Sequence, residues 1–319
     1  MADTLLQAPE GEMPELPDIE AYVEALRART IGQELIGIRL ANPFFLRTVD
    51  PPLCSANGRR IASIHRLGKR VVLGLEEDLF LVVHLMIAGR FHLKPPGSPI
   101  PRRFGLAALD FQDLAILITE AGKRRRASLH VVQGREALAE LDPGGIEPLG
   151  STVGQFRNAL TSENHTLKRA LTDPRILSGI GNAYSDEILH RAGLSPLKLT
   201  RDMGQEEMTR LHAATQAVLS EWTDRLTQEA RSTFPEKVTA FRPEMAVHGR
   251  FRQPCPVCGT PVQRIVYADN EMCYCPRCQT GGRVLADRAL SRLLRDAWPQ
   301  TVEELKERLP GMRLTRPEP

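Results

Sequence analysis

The sequence has no long apolar run, no internal repeat and no low-complexity tract. No stretch approaches the roughly 18 consecutive apolar residues that a membrane-spanning helix needs. The first twelve residues, MADTLLQAPEGE, lack the basic flank and apolar core of a signal peptide. A composition of 42% hydrophobic and 25% charged residues excludes disordered and collagen-like classes. We therefore expect a cytoplasmic globular protein of about two domains.

Cysteine is scarce outside one short segment, and the net charge is only +3. Five of the six cysteines lie within residues 255–278. In a chain without a signal peptide, such clustering favours a metal site over disulfides. Basic residues are concentrated in GKRRRAS (122–128) and HGRFRQ (248–253). Either run could be an ordinary solvated face, but local basic patches can bind a polyanion even when the net charge is small.

The first half of the chain predicts one helix followed by an antiparallel β-sandwich. Ile19, Val23 and Leu26 recur at helical spacing, and Pro17 suits a first helical position, which predicts a helix over 18–30. Eight short β-type runs separated by turns then favour a sandwich or barrel. These runs are LIGIRL, RRIASIHRL, KRVVLGLE, LFLVVHLM, GRFHL, FGLAALDF, LAILIT and ASLHVV.

The second half is helical after a Pro- and Gly-rich linker, LDPGGIEPLG (141–150). Helices are predicted at about 153–161, 166–171, 183–192, 204–227 and 235–240. A tail helix near 284–296 carries an apolar stripe formed by Leu285, Leu290, Leu293 and Leu294, which either docks on the protein or binds a partner. The predicted divisions are an extension 1–12, a β domain 13–140, a linker 141–152, a helical domain 153–247, a ribbon 248–281 and a tail 282–319.

Two C-x2-C pairs, CPVC and CPRC, stand sixteen residues apart. Four thiolates at this spacing predict one tetrahedral Zn2+ site around a β-hairpin. The predicted ligands are Cys255, Cys258, Cys275 and Cys278, and Cys273 is expected to be a spectator. Four protein ligands leave no open coordination position, so this zinc is predicted to be structural rather than catalytic.

The segment LSGIGNAYSDEILHRAGLSP (177–196) joins a Gly-rich turn to a helix. Gly179 and Gly181 free the backbone for close approach to a ligand, and the N–H groups at a helix start can hold a phosphate. Asn182 stands at the turn, where its amide could donate to the same phosphate. The pattern is similar to helix-hairpin-helix and helix-two-turn-helix DNA binders, although a plain helix start has the same composition.

MPELPDIE (13–20), GIGNAYSDEIL (179–189) and the paired cysteine motifs occur in this order. Together they resemble the formamidopyrimidine-DNA glycosylase and endonuclease VIII family of base-excision repair enzymes, over about residues 13–281. The resemblance implies an α+β fold, with an N-terminal helix and antiparallel β-sandwich, a helix-two-turn-helix domain and a C-terminal zinc ribbon. It also implies a glycosylase and AP lyase that excises oxidised bases from duplex DNA and nicks the product by β,δ-elimination.

The resemblance assigns the catalytic chemistry to the N-terminal motif. In the family an N-terminal proline amine condenses with C1′ of the damaged nucleotide, and the resulting iminium permits elimination; Pro14 matches that residue. Glu15 matches the general acid/base carboxylate. Asp18 stands where the family often has Glu, and it could equally serve in the first helical turn.

An amide-bonded Pro14 cannot act as an amine, so the extension 1–12 needs an explanation. It is a mis-assigned start, a cleaved leader, or a mark of an inactive form. We expect the first, with Met13 as the initiator.

Further contacts to DNA are implied by the resemblance. Lys69, in HRLGKRVVLGL, matches a third catalytic-site residue that approaches the phosphate of the damaged nucleotide. His84, in HLMIAGRF, matches a histidine near the DNA backbone. Lys168, in HTLKRAL, and Asn182 match residues that contact phosphate.

The sequence departs from the family in two places. The family motif Asp-Pro-Arg-Arg-Phe-Gly, which wedges the DNA at the flipped base, is replaced by TEAGKRRRASL, while PRRFG (101–105) lies one hairpin too early. Arg125, Arg126, Met86 and Ile87 are the candidate wedge residues, although the last two could be core. In the finger, Asn270 replaces a phosphate-binding arginine, and Arg264 or Arg277 is expected to compensate.

The expected partner is duplex DNA with damaged bases or abasic sites, bound by a monomer in the cytoplasm near the nucleoid. Two other hypotheses stay open. A non-catalytic DNA-damage-binding protein on the same scaffold is favoured if 1–12 is retained. A zinc-ribbon regulator is favoured if binding shows no preference for abasic sites, but it does not explain Pro14, Glu15 and Lys69.

Overall fold

The computed structural model describes residues 13–122, 125–236, 238, 242–267, 270–286 and 299–308. The chain divides into two compact units. The sheet unit comprises Met1–Gly144 and Ser220–Ala240, and the helical unit comprises Gly145–Leu219 and Phe241–Pro319. Among the described residues, no helix has the length and apolar character needed to cross a membrane. The boundary at 144 falls inside the predicted linker.

The sheet unit contains eight strands in two antiparallel sheets, which confirms the predicted sandwich. The strands are β1 (Gly37–Leu40), β2 (Ile61–Leu67), β3 (Arg70–Leu75), β4 (Leu79–His84), β5 (Gly89–Lys94), β6 (Gly105–Asp110), β7 (Ala115–Glu120) and β8 (Ser128–Gln133). The first sheet has the order β2-β3-β4-β8 and the second β1-β6-β7-β5. Alternate residues of both sheets form one core, since side chains alternate between faces along a strand. Each predicted run corresponds to one of these strands, although β5, β7 and β8 end one residue beyond their runs.

The helix α1 (Leu16–Thr30) precedes the strands and packs into the same core. Glu15 caps it, and Pro17 occupies its second rather than its predicted first position. Tyr22 is buried and meets the ring of Phe91 edge to face, with 5.1 Å between centroids. Such aromatic pairs contribute about 0.5–1.5 kcal/mol beyond area burial, so this contact fixes α1 against β5.

The segment Ser220–Ala240 groups with the sheet unit, whereas it was predicted to lie in the 153–247 domain. The helix α6 (Gln205–Ser232) is longer than predicted. Its last turns and the segment after them bury Leu226, Ala230 and Phe234 in the sheet core. An apolar stripe does not reveal its packing partner, so the sequence could not assign this segment. Glu236 reinforces the attachment, since its carboxylate lies 2.5 Å from Nδ1 of His92 on β5.

The helical unit contains the helices predicted near 153–161, 166–171 and 183–192, the first part of α6 and the hairpin of the ribbon. Its elements are α3 (Val153–Leu160), α4 (Leu167–Thr172), α5 (Asn182–Ala192), β9 (Gln263–Tyr267), β10 (Asn270–Tyr274), α7 (Pro276–Thr280) and α8 (Val302–Arg308). The helices α7 and α8, and α2 (Arg135–Ala139) in the sheet unit, were not predicted. Residues 284–286 are not helical, and 287–298 of the predicted tail helix lie outside the described residues. The predicted 235–240 helix is absent at 235, 236 and 238, and its other residues are not described.

Candidate functional site

Pro14 and Glu15 lie at the start of α1, and both are buried. Asp18 holds them in place, because its Oδ2 accepts the backbone N–H of Glu15 at 3.1 Å. Glu15 and Asp18 together form the reciprocal capping pattern of a helix N-terminus. Asp18 therefore has the first-turn role considered above, and this role fixes the backbone next to Pro14.

Arg66 connects α1 to the turn that carries Lys69. Its Nε donates to Glu20 Oε1 of α1 at 2.9 Å, and its Nη1 donates to the carbonyl of Gly68 at 2.9 Å. The Arg66 side chain is only 8% exposed, which limits solvent screening of the pair. Gly68 adopts φ 60° at the first position of a two-residue hairpin loop, where a positive φ favours glycine. The guanidinium of Arg66 thus links the N-terminal helix to the turn that carries Lys69.

The structure brings Lys69 and His84 into one cationic cluster. Arg70 pairs with His84 across β3 and β4, and His130 lies on the same face of neighbouring β8. Burial, together with smaller contributions from Arg70, Lys69 and His130, lowers the pKa of His84 to about 4. His84 is therefore neutral at pH 7 and can meet a DNA phosphate as a hydrogen-bond donor. Arg70 and His130 were not predicted from the sequence. Each stands two residues before a valine of the same strand, Val72 or Val132, and this spacing places both on one face of the sheet.

Arg125 and Arg126 are exposed on the loop between β7 and β8. Glu120 anchors this loop from beneath: its buried carboxylate accepts the backbone N–H of Arg126 at 2.8 Å and that of Ala127 at 3.2 Å. The Arg125 guanidinium contacts the carbonyl of Arg103. The anchored backbone leaves the Arg126 side chain available for a polyanion. Lys123 and Arg124 of the same basic run lie outside the described residues.

The turn between β4 and β5 presents Ile87, one of the predicted wedge residues. Ile87 is 47% exposed, so it is not core. Met86 adopts φ 54°, a left-handed conformation that costs a non-glycine residue free energy. At Gly89 a Cβ would lie 2.1 Å from the Leu85 carbonyl oxygen, so only glycine permits this tight turn. The backbone therefore holds Ile87 outward.

Lys168 lies beneath α5 rather than on the surface. Its Nζ donates to Asp186 Oδ1 at 2.5 Å and to the carbonyl of Asn182 at 2.6 Å. Only 9% of its side chain is exposed. The predicted phosphate contact is therefore not what this geometry favours: Lys168 positions the first turn of α5.

Asn182 is the first residue of α5, which begins one residue earlier than predicted, and it is half-buried. Gly179 adopts φ 78° in the preceding turn, which meets the expected need for glycine. The first turn of α5 carries no acidic side chain. Its N-terminal N–H groups and the positive end of the helix dipole can therefore hold a phosphate beside Asn182.

The four predicted zinc ligands converge. Their Sγ atoms all lie within 4.8 Å of one another, with 3.9 Å between Cys255 and Cys278 and 3.4 Å between Cys258 and Cys275. Tetrahedral coordination at about 2.3 Å per Zn–S bond places sulfurs about 3.8 Å apart. The donor set and its spacing thus fit one structural zinc, which these thiolates would hold. Cys273 is buried beside Asp186 and is not one of the four.

Three side chains of α5 anchor the ribbon, and sequence reasoning missed all three. The Glu187 carboxylate accepts the N–H groups of residues 246, 247 and 248 at 2.7–2.9 Å. Burial raises the pKa of Glu187, while the three hydrogen bonds act in the opposite direction and lower it. Asp186 Oδ2 lies 2.8 Å from Nδ1 of His248, and His190 Nε2 lies 3.3 Å from Cys255 Sγ. Asp186, Glu187 and His190 are spaced so that they lie on one face of the helix, and this spacing could have indicated their common role.

Arg264 lies on β9 of the ribbon, where it was predicted to replace a missing finger arginine. Its guanidinium stacks over Phe251 at 4.5 Å and pairs with Glu271 at 3.2 Å. Its side chain is 40% exposed, so it can still meet a phosphate. Asn270 begins β10, but its side chain is not described.

Three family profiles match the chain in the predicted order. The formamidopyrimidine-DNA glycosylase N-terminal domain matches residues 13–127, and the formamidopyrimidine-DNA glycosylase H2TH domain matches 145–231. The zinc finger found in FPG and IleRS matches 252–281. The sandwich, the helix-two-turn-helix segment and the four-cysteine ribbon define a DNA repair glycosylase fold.

The chain belongs to the formamidopyrimidine-DNA glycosylase family. Formamidopyrimidine-DNA glycosylase of Heliobacterium modesticaldum is 34% identical over 281 residues, which are 84% of this chain and all of that relative. The crystal structure of the Thermus thermophilus MutM (FPG) protein shares 33% identity with a TM-score of 0.71, covering 83% of this chain and 98% of that one. A Lactococcus lactis FPG mutant bound to Fapy-dG containing DNA has a TM-score of 0.75 at 24% identity, covers 84% of this chain and all of that one, and supports the fold alone.

Proposed function

We propose that this chain is a DNA glycosylase with AP lyase activity, which excises oxidised bases from duplex DNA. The observation that carries the proposal is the motif Met13-Pro14-Glu15 at the buried start of α1, in a chain whose relatives are formamidopyrimidine-DNA glycosylases. The relatives named formamidopyrimidine-DNA glycosylase, which are 34% identical over their whole length, support the same class of substrate.

Pro14 is the proposed nucleophile once its amine is free. The secondary amine attacks C1′ and the damaged base leaves. The C1′–O4′ bond then breaks as the ring oxygen takes a proton, and the resulting iminium acidifies the C2′ proton. Loss of that proton breaks the C3′–O bond, and a second elimination breaks the C5′–O bond. An unperturbed α-amino pKa near 8 leaves a useful unprotonated fraction at neutral pH. Glu15 is the proposed acid/base, since it lies next to the amine along the chain.

The phosphate contacts are assigned to the cationic surfaces described above. Lys69 and His84 share one cluster, which supports a common phosphate near the lesion. Asn182 and the α5 N-terminus, with Arg264 of the ribbon, hold other phosphates. Together these contacts position the duplex but carry no base specificity.

Ile87 is the proposed wedge in the gap left by the flipped base. Its exposure on a glycine-constrained turn supports this assignment over Met86. Apolar side chains inserted between base steps help to offset the few kcal/mol of stacking lost on flipping. Arg125 and Arg126 are the proposed contacts to the strand opposite the lesion.

Excision on defined duplexes tests the proposal. The protein beginning at Pro14 is incubated with duplexes carrying an oxidised purine, a formamidopyrimidine or an oxidised pyrimidine, and the products are resolved by size. Excision with a gap flanked by two phosphates is the expected result, and Glu15→Gln should abolish it. Tight binding to damaged duplexes without excision would favour the damage-binding protein instead. A monomer near the nucleoid is part of the same proposal.

A further inference from the structure

An open pocket of about 530 Å³ lies in the sheet unit, next to the loop that carries Arg125. Its volume falls within the roughly 300–1,000 Å³ of small-molecule sites. Phe44, on the short 3-10 helix Pro43–Phe45, contributes a ring that is 80% exposed. An exposed aromatic ring at the edge of a pocket offers a flat apolar face on which a planar ligand can stack.

The motif PRRFG, which sits one hairpin too early for the family wedge, forms one wall of this pocket. Gly105 N–H donates to the Pro101 carbonyl at 2.8 Å, so the loop folds back on itself. A Cβ at Gly105 would lie 2.2 Å from Ile100 Cγ2 and 2.5 Å from Pro101 O, so glycine is needed for this close approach. The Arg125 guanidinium contacts the Arg103 carbonyl and joins this loop to the basic loop.

The lining of the pocket combines one aromatic face, two guanidinium groups and one amide. Arg102 and Arg125 are both exposed, and the described residues that line the pocket include no carboxylate. Asn42 Oδ1 accepts the backbone N–H of Phe44 at 3.0 Å, so the donor end of that amide remains for a ligand. The side-chain polar groups that the lining leaves to a ligand are therefore hydrogen-bond donors beside an aromatic ring.

We propose that this pocket holds an unpaired nucleotide of a DNA strand, with its base stacked on Phe44 and its phosphate bound by Arg102 and Arg125. Stacking on an aromatic side chain tolerates any base, and guanidinium groups bind phosphate through paired N–H donors. The site extends the proposed function, on which it rests, from paired DNA to an unpaired stretch of the bound strand. Paired bases do not fit, because a stacked duplex does not offer a base face to Phe44.

Replacing Phe44 by tryptophan makes stacking visible as fluorescence quenching. Phe44→Trp is titrated with the single-stranded pentanucleotide dT5, with dTMP, and with a blunt paired duplex. The matched control is Val49→Trp, since Val49 is 90% exposed in the same segment but does not line the pocket. Trp222 and Trp298 contribute the same background to both variants. A borohydride-trapped adduct with abasic-site duplex is measured in parallel for the unaltered protein and for each variant.

The expected result is saturable quenching of Phe44→Trp by dT5, weaker quenching by dTMP and none by the blunt duplex. Adding Arg102→Gln should lower the slope of log affinity against log salt by about 0.7, the value for one phosphate contact with a single strand. Quenching by dTMP equal to that by dT5 would overturn the strand assignment. No quenching, or equal quenching of Val49→Trp, would overturn the site. If the adduct forms in both variants without local quenching, only this inference fails, whereas absence of the adduct in the unaltered protein counts against the proposed function.

Discussion

Arg66 donates to Glu20 on α1 through Nε at 2.9 Å, while its Nη1 donates to the carbonyl of Gly68 at 2.9 Å. One buried guanidinium thereby fixes the helix that begins at the candidate nucleophile to the turn that carries Lys69. The Arg66 side chain is 8% exposed and that of Glu20 is 29% exposed, so removing Arg66 takes away two hydrogen bonds, one of them within a partly buried pair. The relative position of the amine and the phosphate site thus depends on Arg66.

Replacing Arg66 by glutamine should slow catalysis in a protein that remains folded. We expect the single-turnover rate of adduct formation to fall by about 10- to 100-fold, since small displacements of reacting groups have effects of that order. Arg231→Gln is the matched control, because Arg231 pairs with Glu24 on the same helix at 2.8 Å but is 68% exposed. An equal fall in both variants would contradict a positioning role for Arg66.

His84 should make stability depend on pH. Its pKa is about 4 in the folded protein against 6.5 as the ordinary value. As pH falls below 6.5 the unfolded state binds the proton first, so the contribution of His84 is complete above 6.5 and is lost as pH falls toward 4. Between pH 7.5 and 5 the free energy of unfolding should fall by about 2 kcal/mol more than in His84→Gln. Urea unfolding at both pH values measures this, and equal losses would contradict the buried, neutral state of His84.

Lys168 should support α5 rather than bind DNA phosphate. Lys168→Met leaves buried Asp186 without its cation, and we expect about 3 kcal/mol of lost stability. The slope of log DNA affinity against log salt should stay unchanged, whereas losing one phosphate contact would lower it by about 0.9. The double variant Lys168→Met with Asp186→Asn should recover part of the stability. A reduced slope in the single variant would show instead that Lys168 contacts a DNA phosphate.

His190 should slow the loss of zinc from the ribbon. Its Nε2 lies 3.3 Å from Cys255 Sγ, where an N–H can donate to a zinc-bound thiolate and reduce the basicity of the sulfur. One such hydrogen bond is worth about 1 kcal/mol, so His190→Phe should release zinc to a chromogenic chelator about fivefold faster. His190→Gln retains an N–H donor and should release zinc at a rate closer to the unaltered protein. Equal release rates for all three proteins would show that this contact does not protect the metal.

The sequence allowed the strands and the zinc ligands to be predicted, because both are encoded locally. Alternating apolar residues specify strands, and C-x2-C spacing specifies a tetrahedral metal site. The roles of Lys168, Arg66 and Glu187 could not be predicted, because each depends on a partner distant in sequence. The sequence alone does not show whether a lysine on a helix faces solvent or pairs with a buried aspartate.

Pro14 is the proposed nucleophile, and trapping the covalent intermediate tests this role most directly. Two versions of the protein, one beginning at Met1 and one at Met13, are incubated with abasic-site duplex DNA and borohydride, and the adduct is mapped by mass spectrometry. The prediction is one reduced adduct on Pro14, formed once Met13 has been removed. No adduct from either folded, zinc-loaded version, despite tight binding to the same DNA, would contradict the account.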